Sequence, residues 1–288
     1  AVFFPCNSFS APASSTAPIV KNEAKEGSIE FLFDEMIKAW NEHDLEKVFS
    51  FYSTNFITGD GINLEDYKDL TKSLFEAYPN IKIENQKRTI RSQDQYATVS
   101  GIDFFFGNSK DINKELNSRG FLNAISQGQI FLQKYGKTWK IVSDRIHFEL
   151  VTVYYGEAKK YLDNHQIYFS SPEQVLAGAQ YSATLYFILP ENIKANATIN
   201  KELIVKPDPD TPIDESFQNI SEHKLERLFQ SNSTNHNELV SATIVISKGI
   251  IEPKLEGVLY ISKRINVAPN VSDLSKTKIM KKPFAQID

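Results

Sequence analysis

The sequence predicts an α+β fold for its first half and an all-β fold for its second, and three observations carry that reading. Apolar residues recur at helical spacing as far as Tyr78, where Pro79 stops the pattern. From Ile81 the period changes to two, the spacing at which alternate side chains share one face of a strand. Beyond Gly156 the helix-rich organisation does not return, and short apolar runs between turn residues continue to Val267.

Ile29, Leu32, Met36 and Trp40, widened by Phe33 and Ile37, predict an amphipathic helix starting at Ser28. Asp44 suits the N-cap of a second helix carrying Leu45, Val48, Phe49 and Tyr52, since its carboxylate can accept from free backbone N–H groups. His43 and Asp44 are therefore read as a helix junction rather than a catalytic pair. The turn at 58–61 leads to Asn63, a second capping residue, and to a third helix with Leu64, Tyr67, Leu70, Leu74, Phe75 and Tyr78. Four strand runs follow, at 81–83, 96–106, 128–135 and 139–153, and predict an antiparallel meander. The polar stretch 107–118 is expected to be a mobile loop.

In the second half, residues 157–164 extend a short helix, and 167–169, 181–189, 195–205, 239–247 and 255–267 read as strands. Short strands at this spacing predict a β-sandwich, Ig-like in general build, although this half has no Trp and no Cys pair. Residues 207–212 read as a rigid exposed loop and 224–229 as a helical turn. The expected organisation is a signal remnant and linker at 1–27, an α+β domain at 28–156, a β-sandwich at 165–267 and a loose tail at 268–288.

Composition excludes several classes. The chain has 288 residues, 41% hydrophobic and 24% charged, with a net charge of -4 and both signs interspersed. That leaves no basic face for nucleic acid. Cys6 is the only cysteine, and no His/Cys grouping has metal-ligand spacing, so neither an intramolecular disulfide nor a metal is expected. No segment approaches the ~20 apolar residues of a membrane span. The apolar start Ala1-Val2-Phe3-Phe4-Pro5-Cys6, followed by Ser10-Ala11-Pro12-Ala13, looks like the end of a secretory signal. Export is expected, to a periplasmic, cell-surface or secreted location. Four glycosylation sequons, at Asn196, Asn219, Asn232 and Asn270, would matter only in an exported eukaryotic protein. Phosphate-binding loops, nucleophile elbows and the His-Glu-x-x-His motif do not occur, so no cofactor is expected.

Strand parity singles out two acids. On the 139–153 run Val142, Asp144, Ile146 and Phe148 share one face, which leaves Asp144 alone among apolar neighbours. Asp103 stands in the same way among Ala97, Val99, Gly101 and Phe105. A carboxyl facing a dry pocket loses hydration of its charged form and becomes a usable proton carrier near neutral pH. Tyr52, Trp40 and Phe56 are candidates to line such a pocket from the helical side.

The helix ending Trp40-Asn41-Glu42-His43-Asp44-Leu45, the second closing on Phe51-Tyr52, the third stopping at Tyr78-Pro79, and the late strand Gly136-Lys137-Thr138-Trp139-Lys140-Ile141-Val142-Ser143-Asp144 together resemble the NTF2-like superfamily. The likeness is closest to its SnoaL-like branch and covers about 28–156. It implies a cone of three helices on a curved sheet around a blind apolar cavity. That superfamily contains isomerases, cyclases, dehydratases and many non-enzymes, so the likeness implies a site more readily than a reaction. Asp144 falls where SnoaL-like sequences carry an acid. Cyclases of that branch pair the acid with a histidine on a neighbouring strand, and residues 127–135 hold none.

The resulting expectation is a non-catalytic binding protein whose cavity takes a small apolar ligand or a partner segment, with the sandwich mediating protein contacts. The ligand-pocket candidates are Asp144, Asp103, Tyr52, Trp40, Phe56, Val142 and Ile146. One alternative is a cofactor-independent isomerase, cyclase or dehydratase using Asp144. Another is a structural dimerisation module with a filled cavity. A homodimer through the cone's sheet is expected, with Ile130, Leu132, Trp139 and Ile141 as its apolar surface.

Overall fold

A computed structural model describes residues 25–86, 88–204, 218–219, 223–249 and 251–270. The expected signal remnant and linker at 1–24, the expected rigid loop at 207–212 and most of the expected tail, 271–288, lie outside the described residues. Helices α1 (Ile29–Asn41) and α2 (Leu45–Ser50), strand β1 (Tyr52–Ile57) and helix α3 (Leu64–Ala77) come first. Next are β2 (Lys82–Asn85), β3 (Thr89–Gln93), β4 (Tyr96–Asn113), β5 (Ser118–Tyr135) and β6 (Thr138–Gly156). The second half comprises α4 (Ala158–Asp163), β7 (Ile167–Ser170), β8 (Gln174–Leu176), β9 (Gln180–Phe187) and β10 (Ile193–Leu203). It ends with β11 (Gln218–Asn219), β12 (Lys224–Gln230), β13 (Glu238–Lys248) and β14 (Lys254–Ala268).

The helices begin where polar side chains can take orphan N–H groups. Ser28 accepts from the Phe31 N–H at 3.1 Å, Asp44 from Lys47 at 3.0 Å and Asn63 from Asp66 at 3.0 Å. Helix α1 buries Ile29, Leu32, Phe33, Met36 and Ala39. Most of that face packs on Ala97, Val99, Leu132, Trp139 and Ile141 of the sheet. Burial of one such side chain stabilises by about 1.5–3 kcal/mol.

Most strands of both halves belong to one sheet, in the order β11-β10-β13-β14-β6-β5-β4-β2. β1 joins β6 in parallel, β3 pairs with β4, and β8 pairs with β14. The sheet therefore runs on past Gly156 and α4, where the sequence suggests a domain boundary, because β14 pairs with residues 150–156 of β6. The same edge of β6 pairs further down with β1, at Ile141 and Ser143. Between these two pairings, residues 144–149 face a gap.

On the opposite face of the shared sheet, the smaller sheet β12-β9-β7 packs over β10, β13 and β14. Its inward residues Tyr181, Ala183, Leu185 and Phe187 share one core with Ala197, Ile199, Val240, Ala242, Ile244 and Leu259. The C-terminal half is thus built of two β layers.

Three expectations need correction. Residues 224–229 form strand β12, not a helical turn, because alternate residues Leu225 and Phe229 pack on the core while Leu228 faces out. The stretch 107–118 is the end of a long hairpin rather than a mobile loop. Its polar side chains suit a strand pair with solvated faces, and Arg119 donates to the carbonyls of Ser109 and Lys110 where the register slips. Finally, Leu132, Trp139 and Ile141 are buried under the helices and Ile130 packs with them, so these four do not form an open dimer surface.

Candidate functional site

The meander encloses a cavity of about 230 Å³. Tyr67, Arg88, Val99, Gly101, Asp103, Phe105, Ser126, Gly128, Gln129, Ile130, Asp144, Arg145, Ile146 and Glu149 line it. It lies beside the gap in the β6 edge, where the turn after β1 comes closest. The Gly59 N–H donates to Asp144 Oδ1 at 3.0 Å. A Cβ on Gly59 would stand 2.8 Å from the Asp144 carbonyl oxygen, so this approach requires glycine.

Two β-bulges decide which β6 side chains face inward. Ile141 pairs with Leu132 and Ser143 with Phe131, leaving Val142 as an extra residue. Ile146 pairs with Gly128 and Phe148 with Gln127, leaving His147 extra. The inward series is therefore Ile141, Asp144, Ile146, Glu149, Val151, Val153, not an unbroken run of even positions. Gly128 sits opposite the second bulge, and a Cβ there would come within 2.5 Å of the Arg145 carbonyl.

The structure brings Asp144, Asp103 and Ile146 together on the cavity wall. Val142 is displaced by the first bulge and is not among the lining residues. Phe56 is buried among core side chains. Trp40 packs edge-on against Phe75 and Phe105, with centroids 4.9 and 5.4 Å away. Tyr52 lies behind Tyr67, ring centroids 6.0 Å apart, with the two hydroxyls in contact. These three support the wall without lining it. Glu149, Arg88, Tyr67 and Ser126 are lining residues that the sequence reading did not select. Gly128 was the available signal, since a glycine inside a strand often marks a bulge.

The carboxyls differ in their partners. Asp103 accepts from Arg88 at 2.9 Å and from Asn85 at 2.6 Å. Arg88 also lies 4.3 Å above the Phe33 ring, and burial pulls its guanidinium below the ordinary arginine range against the opposing pull of Asp103. Asp144 is pushed up by burial, partly offset by the Gly59 hydrogen bond, with Asp60 raising it and Arg264 lowering it. Glu149 is likewise pushed up by burial, with Arg264 opposing and Asp60 and Asp144 adding to the rise. No hydrogen bond or ion pair holds the Glu149 carboxyl among the described residues. Burial also raises the Tyr67 and Tyr52 hydroxyls, so both stay protonated.

Raised carboxyl pKa values fix the sign of a stability effect. The folded state prefers both groups protonated, so their contribution is complete below the unfolded value of about 4 and is lost as pH rises through the folded values. Asp144→Asn and Glu149→Gln should therefore stabilise the protein at pH 7, by roughly 0.5–2 kcal/mol as is common at functional sites. The gain should fade near pH 4. Urea unfolding at both pH values checks this, and a loss of stability at pH 7 would mark the carboxyls as structural partners.

Among the described residues no group of three or more His, Cys, Asp and Glu side chains could hold a metal ion, and no helix is long and apolar enough to cross a membrane.

Residues 31–145 match the model of the Cds6 C-terminal NTF2-like domain. No curated protein matches the chain in sequence. Among solved structures, Bd1075 of Bdellovibrio bacteriovorus is 20% identical over 41% of this chain and 39% of its own, with a TM-score of 0.34. A putative scytalone dehydratase from Novosphingobium aromaticivorans is 13% identical over 41% of this chain and 80% of its own, at 0.34. A hexachlorocyclohexane dehydrochlorinase, LinA-type3 from Novosphingobium barchaimii, is 13% identical over 41% and 83%, at 0.32. Likenesses this distant transfer no residue role to this chain.

Proposed function

We propose that this chain, whose residues 31–145 are an NTF2-like domain, holds a small ligand in the cavity without transforming it, while its C-terminal β layers make protein contacts. One observation carries the reading: the cavity combines apolar walls at Val99, Phe105, Ile130 and Ile146 with two carboxyls, Asp144 and Glu149, that no side chain among the described residues bonds. Among the described residues Asp144 accepts only from the Gly59 backbone N–H, which suits recognition better than proton relay.

The rest of the expected picture belongs to the same proposal. Export is supported by the signal-like leader, and N-terminal sequencing of fractionated cells would test it. The Ig-like build of the second half is supported by its two β layers around one core. A homodimer would use the sheet face opposite the helices, where Phe104, Ile125, Phe131 and Phe148 are half-buried.

Native mass spectrometry of gently purified protein tests binding and assembly together. The expected spectrum is a dimer carrying an additional small mass that denaturation releases. A bare monomer at high concentration would count against both. Acid–base catalysis by Asp144, as in an isomerase, cyclase or dehydratase, is the second reading and is favoured by the raised carboxyl. On that reading Asp144→Asn would abolish turnover while the bound mass persists.

A further inference from the structure

We propose that the cavity selects a protonated organic amine with a short apolar body, its ammonium group seated against the Glu149 carboxylate. This rests on the reading that the cavity binds a ligand, and it follows from a count of charges around the β6 gap. Four carboxyls stand there: Asp60, Asp103, Asp144 and Glu149. Asp103 is held by Arg88 and Asn85. Asp60 is held by Arg264, through Nη1 at 2.9 Å and Nη2 at 2.6 Å, and by Asn237 at 2.7 Å. The Arg264 Nε donates to Asn266 at 2.9 Å. Both arginines are thus paired with other carboxyls, and among the described residues no cation is hydrogen-bonded to Asp144 or Glu149, which feel Arg264 only at longer range.

Arg145 does not supply one. It borders the cavity but pairs with Gln129 on the outward parity of β6 and β5, is exposed, and among the described residues makes no ion pair with Asp144 or Glu149. Glu149 is half-buried on the cavity wall, and among the described residues no hydrogen bond satisfies its carboxyl. An uncompensated buried carboxylate is costly, and a cation arriving in the cavity removes that cost.

The geometry selects the kind of cation. Asp144 and Glu149 lie opposite Ile130 and Ser126, four positions apart on β5, hence roughly 13 Å apart along the strand. One metal ion, whose ligands stand about 2.0–2.6 Å away, does not span that separation. An amine at Glu149 leaves its body along Ile146, Ile130 and Phe105, and aromatic Tyr67 also lines the cavity. A volume near 230 Å³ falls below the roughly 300–1,000 Å³ typical of pockets for drug-sized ligands, so the body is short.

Titration calorimetry of the full chain at pH 7 and low salt, with three probes of nearly equal shape, tests the proposal: 2-phenylethylammonium, 2-phenylethanol and phenylacetate. The expected order is amine first, tighter than the alcohol by about tenfold or more, and the acid weakest. Glu149→Gln should erase the preference for the amine over the alcohol. Equal binding of amine and alcohol would overturn the amine proposal while leaving ligand binding intact, as would a preference that survives Glu149→Gln. Heat from none of the three overturns the amine proposal, and the binding reading falls with it only if native mass spectrometry also shows no bound mass.

Discussion

Arg264→Ala should lower stability by about 3–5 kcal/mol, the range for removing one partner of a buried ion pair. The Arg264 and Asp60 side chains are 2% and 8% exposed, and they meet through two short hydrogen bonds in the geometry that strengthens Arg–carboxylate pairs. Asp60 lies in the turn after β1 and Arg264 on β14, so the pair ties the first half of the chain to the last described strand. Without Arg264, Asp60 would be an uncompensated charge beside two carboxyls already short of cations. Asp60→Leu with Arg264→Leu should recover much of the loss, because both charges leave together. Denaturant unfolding with an unchanged slope reads the difference. A cost below about 1 kcal/mol would show the pair to be solvated in solution.

The second large effect is expected at Glu238, fully buried on β13. Burial pushes its carboxyl up, yet hydrogen bonds from the Tyr181 hydroxyl at 2.7 Å, the Asn232 N–H at 2.7 Å and the Asn232 side chain at 2.8 Å bring it below its ordinary value, with Lys201 at 3.3 Å adding to this. A lowered folded value gives stability that is present above the unfolded value of about 4.3 and lost as pH falls through the folded one. That sign is opposite to the one expected for Asp144 and Glu149. Glu238→Ala should cost about 3–5 kcal/mol near neutral pH, since Lys201 and several donors lose their acceptor. The penalty should shrink on acidification, which unfolding from pH 7 to pH 3 would show. An effect constant across that range would mean Glu238 matters by shape alone. Asn232, one of the four sequons, has its amide committed here and to the His236 carbonyl at 2.6 Å.

Much of the first half was legible because its signals are local. Ser28, Asp44 and Asn63 announce helix starts, Pro79 announces a stop, and the change of period after it marks the sheet. Strand parity points to Asp144 and Asp103, since one carboxyl among apolar neighbours stands out, and the SnoaL-like resemblance points to Asp144 as well. Glu149 was hidden because parity assumes an unbroken strand, and the extra residue at His147 turns an odd position inward. The shared sheet was hidden for a different reason. The alternation in 150–156 and 257–263 shows that each run is a strand, but nothing in either run names its partner across about a hundred residues. Likewise Asp60 reads as turn chemistry in Thr58-Gly59-Asp60-Gly61, and only tertiary structure reveals Arg264 opposite it.

The pairing of β6 with β14 also has a kinetic consequence during synthesis. Residues 150–156, Leu-Val-Thr-Val-Tyr-Tyr-Gly, carry no charge and no proline and are rich in β-branched and aromatic side chains. Their edge partner is made about a hundred residues later, and at roughly 5–20 residues per second the ribosome leaves that edge bare for several seconds or longer. An uncharged, unpaired strand of this composition is a template for aberrant pairing with a neighbouring nascent chain. The segment that joins the two halves is therefore exposed to aggregation during synthesis, and the hazard ends when β14 emerges and docks beside it.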